Sequence, residues 1–323
     1  MNRETFLKEL GAALSNLSRA EREEAVTYYD EMIRDAVEAG QDEETAVGRL
    51  GAPADVARQI LDDAAGGESG APEAADVPGD GVWEAGAAVH TVVVDAQDVP
   101  VRVVPGNGPV RVRFTPVRGE TVRVNEEDGI FTFVQRWRPF RHRFREVRGQ
   151  EIVLELPASF AGRVQVDTSN AKIGAEGPWK FEDIECRTSN ASVALAQFES
   201  GKLHVKTSNA KVALTALSGN TCAAETSNGK ICAEQLVFPQ QLSLRTSNAK
   251  IEGAHLRSDA YVLKTSNAKI LASLDADAHA YTIHSSTSNA KSNLPTDWAG
   301  TQEGKVLSAV TSNGKIEVTF LGG

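Results

Sequence analysis

The sequence predicts a mainly β protein: a single-chain β-solenoid of about eight coils of roughly 20 residues, preceded by a small all-α domain. Two observations predict it. Thr-Ser-Asn occurs eight times, starting at Thr168, Thr188, Thr207, Thr226, Thr246, Thr265, Thr287 and Thr311, at intervals of 20, 19, 19, 20, 19, 22 and 24 residues. Residues 1–64 instead space their apolar residues three and four apart, the period of a helix. A chain of 323 residues accommodates both modules.

The head comes first. Phe6, Leu7, Leu10, Ala13, Leu14 and Leu17 form one apolar stripe. Ser18 and Glu21 fit a capping box at the start of a second helix, whose inner face carries Val26, Tyr29, Ile33 and Ala36. Gly40 is its expected stop. Asp42 caps a short third helix that ends at Gly51, and Pro53 opens a fourth with Val56, Ile60 and Leu61 inward. Residues 65–82 are rich in Gly, Ala, Pro and acids and read as a flexible acidic linker. Residues 1–82 carry 7 Lys and Arg against 19 Asp and Glu, a balance of −12, while the rest carries +2. That asymmetry predicts two modules with different partners and argues against nucleic-acid binding by the head.

The body spans residues 83–323, with irregular entry strands over 83–160 and the repeats over 161–323. Four residues before each Thr stand Val164, Ile184, Leu203, Cys222, Leu242, Tyr261, Ile283 and Leu307. Two before it stand Val166, Cys186, Val205, Ala224, Leu244, Leu263, Ser285 and Ala309, so each copy ends a strand. Five after it stand Ile173, Val193, Val212, Ile231, Ile251, Ile270, Ser292 and Ile316. The inward parity shifts by one residue, so the chain turns within the motif. Asn and Gly suit a left-handed corner, most clearly at Asn228-Gly229 and Asn313-Gly314. Phe198, Leu217, Leu236 and Leu256 mark a third apolar position. The seventh copy departs: Ser292 fills an apolar slot and residues 295–305 are inserted, which predicts an irregular coil.

Stacked coils place equivalent residues about 4.8 Å apart, so eight coils make a rod roughly 35–40 Å long. Asn170, Asn190, Asn209, Asn228, Asn248, Asn267, Asn289 and Asn313 are expected to form a structural corner ladder through their amides. Lys172, Lys211, Lys230, Lys250, Lys269, Lys291 and Lys315 share the position four after Thr, with Ser192 breaking the row. They form a basic edge that would suit an elongated anionic partner, or would simply keep a long sheet soluble. A second basic feature is residues 135–148, where Arg136, Arg138, Arg141, Arg143 and Arg145 alternate with Trp137, Phe140 and Phe144. Arginine forks there could bind an anionic surface or polymer, and the aromatics could cover the open end of the solenoid.

Catalysis has little support. His90, His142, His204, His255, His279 and His284 show no metal-ligand spacing, and no phosphate-binding Gly loop occurs. No enzyme activity, cofactor or metal is expected, and no specific nucleic-acid signal is present. Cys186, Cys222 and Cys232 make neither a disulfide framework nor a CxxC pair, which fits a reducing compartment. No transmembrane stretch and no signal peptide are read, so the expected location is cytoplasmic, peripheral at the inner face of a membrane.

Two resemblances sharpen this reading. Phe6-Leu7-Lys8-Glu9-Leu10, Glu21-Arg22-Glu23-Glu24, Tyr29-Asp30-Glu31, Gly40-Gln41-Asp42-Glu43-Glu44 and Leu50-Gly51-Ala52-Pro53 resemble the bacterial HAAS helical domain. The resemblance implies a signalling-associated head with a regulatory protein partner. The T-S-N-A/G-K-I unit, Glu151-Ile152-Val153-Leu154-Glu155-Leu156-Pro157, and the segments Val92-Val93-Val94 and Val101-Arg102-Val103 resemble the bacterial family of β-solenoids called putative adhesins. Together they imply a non-enzymatic interaction or scaffold protein with a rigid binding surface. The alternative is an adhesin-like, envelope-associated ligand-binding protein.

Overall fold

A computed structural model describes residues 1–38, 42–48, 50–65, 81–117, 120–137 and 150–322. These form two compact units, one holding the helices and one holding most of the strands. In the first, α1 (Arg3–Ala13), α2 (Arg19–Glu38), α3 (Glu43–Gly48) and α4 (Pro53–Ala65) bury Phe6, Leu10, Leu14, Ile33, Val47, Val56 and Ile60 together. Asp42 caps α3 by accepting from the Thr45 N–H at 2.9 Å. Asn2 caps α1 through the Thr5 N–H, also at 2.9 Å. Gly51 follows α3 with φ at 86°, the left-handed stop its residue type favours. The expected stop at Gly40, the side chain of Glu21 and linker residues 66–80 lie outside the described residues.

The second unit is a stack of parallel coils, named here by their Thr-Ser-Asn copy. Ile184 of coil 2 lies level with Val164 of coil 1 and Leu203 of coil 3, and Cys186 with Val166 and Val205. On the next face Val212 lies level with Val193 and Ile231, and Ile251 with Ile270. The expected inward residues before the motif are all buried, Ser285 included, as are the third-position residues Phe198, Leu217, Leu236 and Leu256. Five residues after Thr the slot is buried in every coil except the seventh, where Ser292 is half-buried. This continuous apolar core is the main driving force for the stack.

Four of the entry strands stack in regular register, which corrects the sequence expectation for that part of residues 83–160. Thr91–Ala96 and Val101–Gly106 form a full coil against coil 1, with Val92 opposite Val164 and Val101 opposite Ile173. Ile130–Trp137 and Ile152–Pro157 form another on its outer side. Both lack Thr-Ser-Asn, so counting motifs misses them.

Chain order and stacking order part at both ends. The later entry coil is the outer one. At the other end, coil 8 inserts beside coil 6, with Leu307 opposite Tyr261 and Ile316 opposite Ile270. Coil 7 lies beyond coil 8, with Ile283 opposite Leu307 and Ser292 bridged to Ile316. The polar slots Ser285 and Ser292 thereby reach the outermost described coil, where their hydroxyls bond each other at 3.2 Å. The ends are closed against further strand addition. Asp297–Trp298 lies antiparallel on coil 7. The Asn293 amide bonds both backbone groups of Val318, at 2.8 Å and 2.9 Å, standing in for a neighbouring strand. At the entry end, Arg111–Arg113 lies antiparallel on Ile152–Pro157, and Val82–Glu84 on Arg111–Arg113.

The corner differs from expectation. No Thr-Ser-Asn residue has positive φ; left-handed residues stand instead at Gln197, Ala216, Gln235 and His255, each just before a third-position apolar residue, and at Asp98, which takes the Asn place in the inner entry coil. Stacking, not a left-handed residue, shapes the motif corner. Gly229 and Gly314 are needed for space: a Cβ there would lie 1.7 Å and 1.5 Å from the carbonyl oxygens of Ala210 and Ala268.

Candidate functional site: the polar corner and its basic margins

Each motif residue has a separate task. The Thr side chain turns inward and is buried in every copy except Thr287. Its hydroxyl donates to carbonyls of the adjoining corner: Thr226 to Ser208 and Ala210 at 3.3 and 3.4 Å, Thr265 to Ser247 and Ala249 at 3.3 and 3.2 Å. A buried corner would otherwise strand those acceptors. The Ser carbonyl accepts two N–H groups from the next coil, as Ser227 does from Ser247 and Asn248 at 3.1 and 2.9 Å.

The Asn side chains form one directed chain. Asn289 donates to Asn313, Asn313 to Asn267, Asn267 to Asn248, Asn248 to Asn228, Asn228 to Asn209, Asn209 to Asn190 and Asn190 to Asn170, all at 2.6–2.7 Å. Asn170 donates to the carboxylate of Asp98 at 2.6 Å. Asp98 belongs to the entry coil and gives the chain a charged acceptor at its end. Each interior amide uses one N–H and its oxygen within the chain, leaving one N–H per coil for a ligand or water.

Basic residues border this corner on both sides. The Lys row follows the stack, because Val212, Ile231, Ile251, Ile270 and Ile316 donate in turn to the carbonyls of Lys230, Lys250, Lys269, Lys315 and Lys291. Lys230 is paired with Glu252 at 2.5 Å, and Lys315 with Glu317. The first contact holds Lys230 above its ordinary pKa, and the second holds Glu317 below its own. The lysine spacing alone misses a second row, signalled by the residue directly before each Thr. Lys206, Glu225, Arg245 and Lys264 lie level in successive coils. Lys206, Lys211, Arg245, Lys250, Lys264 and Lys269 are all exposed, and among the described residues none has an ion-pair partner.

Of the expected arginine site, Arg138, Arg141, Arg143 and Arg145 lie outside the described residues, with Phe140 and Phe144. Arg136 is half-buried, and Trp137 is buried. The histidines are dispersed: His204 contacts Glu185 at 2.7 Å, His255 contacts Asp275 at 3.1 Å and His284 contacts Asp297 at 2.8 Å. Among the described residues no cluster of three or more His, Cys, Asp or Glu is placed to hold a metal. Burial raises the thiol pKa of Cys186 and Cys222, whereas Cys232 is half-exposed on the outer face. Asp167 is held above the carboxylate range, first by burial and then by neighbouring Asp95 and Glu185, against the pull of Gln165 and Arg187.

These stacked coils correspond to a recognised family. The Toastrack DUF4097 model matches residues 90–320. The chain belongs to the Toastrack DUF4097 family. The match begins just before the first entry coil, so the two coils without Thr-Ser-Asn are part of the Toastrack body. The HAAS model matches residues 5–59, from within α1 into α4. Among solved structures the Toastrack chain is similar to one described as a putative cell adhesion protein from Clostridium sporogenes ATCC 15579. Identity is 8%, coverage is 74% of this chain and 97% of that one, and the TM-score is 0.29. No curated protein matches the chain. Among the described residues no helix is long and apolar enough to cross a membrane.

Proposed function

We propose that this protein is a non-enzymatic interaction protein: the helical head engages a regulatory protein partner, and the solenoid presents a rigid binding surface. The observation that carries this reading is the corner. One hydrogen-bonded amide chain runs through all eight copies, beside a sealed apolar core. Such a construction fixes surface groups at regular spacing along the stack. The HAAS match supports the regulatory role of the head. The acidic balance of residues 1–82 supports a basic or neutral partner there. Three free cysteines, two of them buried, support a reducing compartment, and the protein acts in the cytoplasm near the membrane's inner face.

Fractionation of the native cell, combined with cross-linking of the full chain, tests this. The expected result is an intracellular protein cross-linked to a regulatory protein through residues of α1–α4. Recovery from outside the cell membrane, or cross-links that bypass the head altogether, would refute it.

A further inference from the structure

Resting on the reading of the solenoid as an interaction surface, we propose that the Thr-Ser-Asn corner is a binding track for a linear, single-stranded phosphate polyanion. Two independent rows meet there. On one side stand Lys206, Arg245 and Lys264, and on the other Lys211, Lys250 and Lys269. All six are exposed, and among the described residues none of the six forms an ion pair within 4.0 Å, although Lys269 lies near enough to Glu317 to lower its pKa. Between the rows the exposed Asn side chains hold their amides in a fixed direction, each with one spare N–H. The strip therefore offers cations and donors together, which is what an anion requires.

Dimensions select the class of polyanion. Charge recurs at the coil spacing, about 4.8 Å, along a nearly straight line of six coils from coil 3 to coil 7, roughly 24 Å in all. Reversal of the last two coils keeps the track continuous, since Lys315 of coil 8 stands between Lys269 and Lys291. The Lys row runs that whole length, whereas the second margin is basic only between coil 3 and coil 6, because Val310 and Ser286 hold its position in coils 8 and 7. A DNA duplex turns its phosphates away from a straight line within a few base pairs. Single-stranded nucleic acid draws affinity from base stacking, and no Thr-Ser-Asn copy or its immediate neighbours carry an aromatic side chain. A membrane surface calls for a broad basic face, whereas these cations border a narrow corner. Glu225, half-buried between Lys206 and Arg245, is the one acid in its row among coils 3 to 6.

Binding of the full chain to inorganic polyphosphate and to poly(glycerol phosphate) tests the proposal, with duplex DNA and phosphatidylglycerol vesicles alongside. The two phosphate polymers distinguish an inorganic from a diester source. The wild-type chain is expected to bind one or both polymers, with affinity falling as salt rises. Replacing Lys206, Lys211, Arg245, Lys250, Lys264 and Lys269 with Gln together should lower affinity at least about tenfold and flatten the salt dependence. Glu225→Gln should tighten binding about twofold to threefold, a gain that misfolding cannot imitate. Replacing Arg136, Arg138, Arg141, Arg143 and Arg145 with Gln should leave polymer binding within about twofold, because none of them belongs to the Thr-Ser-Asn repeats of the sequence. Undiminished binding by the sixfold variant, loss only in the five-arginine variant, or preference for vesicles or duplex overturns the proposal. Absence of polymer binding also overturns it, while intact cross-linking through the head would leave the broader interaction reading standing.

Discussion

Coils 5 and 7 carry the same Thr-Ser-Asn-Ala-Lys signature and occupy opposite circumstances. Coil 5 lies inside the stack, with Leu242, Leu244 and Ile251 fully buried between neighbours. Coil 7 lies outermost, with Ser285 and Ser292 in two of the equivalent positions and an antiparallel segment covering it. The motif builds a corner wherever it occurs. The slot residues decide whether a coil can have neighbours on both sides, because a polar group between two apolar layers loses its hydrogen bonds to water.

Charge in the slots gives the largest expected difference between the two coils. Ile251→Asp should cost about 4 kcal/mol or more, since an unpaired carboxylate would be buried between coils 4 and 6. Ser292→Asp should cost under about 1 kcal/mol, because that position is half-buried beside water. Denaturant unfolding of both variants measures the contrast, and equal costs would break it.

Making the end coil resemble an interior one is the next test. The double variant Ser285→Leu and Ser292→Ile, combined with Asn293→Ala, removes the polar slots and the amide that covers Val318. It should promote end-to-end association, read by light scattering as mass that grows with concentration. A strictly monomeric variant would show that the antiparallel segment closes the end unaided.

The amide chain gives a smaller contrast. Asn248→Ala removes two side-chain bonds and should cost about 1 kcal/mol, whereas Asn289→Ala removes one and should cost about half as much. Reversal of that order in thermal unfolding would show that the chain's stability comes from its ends.

The smallest effect concerns the head, whose electrostatics differ from those of the stack. Asp30 joins Arg3 of α1 and Arg34 of α2, and the hydrogen bond from Arg3 holds its carboxyl below the usual range. Its folded pKa is depressed, so its stabilisation is present above the unfolded value near about 3.9 and is lost as pH falls through the folded value. Asp30→Asn should lower head stability modestly at pH 7, and the difference from wild type should vanish in acid. A difference that persists at low pH would assign the effect to packing. Asp167, raised by burial, has the opposite sign: its contribution is present at low pH and lost as pH rises through its folded value.

Much of this molecule could be read from residue order. The eight corners, their inward slots, the four helices and the Asp42 cap all follow from local spacing. Other features left only weak traces. The intervals of 22 and 24 residues around the seventh copy are the trace of the reversed coils: a chain that skips a level and returns needs extra length. The inner entry coil carries Ala96-Gln97-Asp98 and the outer one Gln135-Arg136-Trp137 where later coils carry Thr-Ser-Asn, so motif spacing could not register them. The second basic row leaves only a broken trace in the residue before each Thr, because Asp167, Glu225, Ser286 and Val310 interrupt it.

What the sequence alone determined is the shape of one coil, because strand period, corner chemistry and slot residues act over fewer than about 20 residues. What only the tertiary structure decided is which coil neighbours which. Any coil of this form can pair in parallel with any other, since the backbone hydrogen bonds are the same in each case. The order is chosen by the cost of the free surface: Leu307, Ala309, Ile316 and Val318 of coil 8 are buried between two layers. The serines of coil 7 stand at the edge, where the carbonyls of Leu294 and Pro295 accept from their hydroxyls.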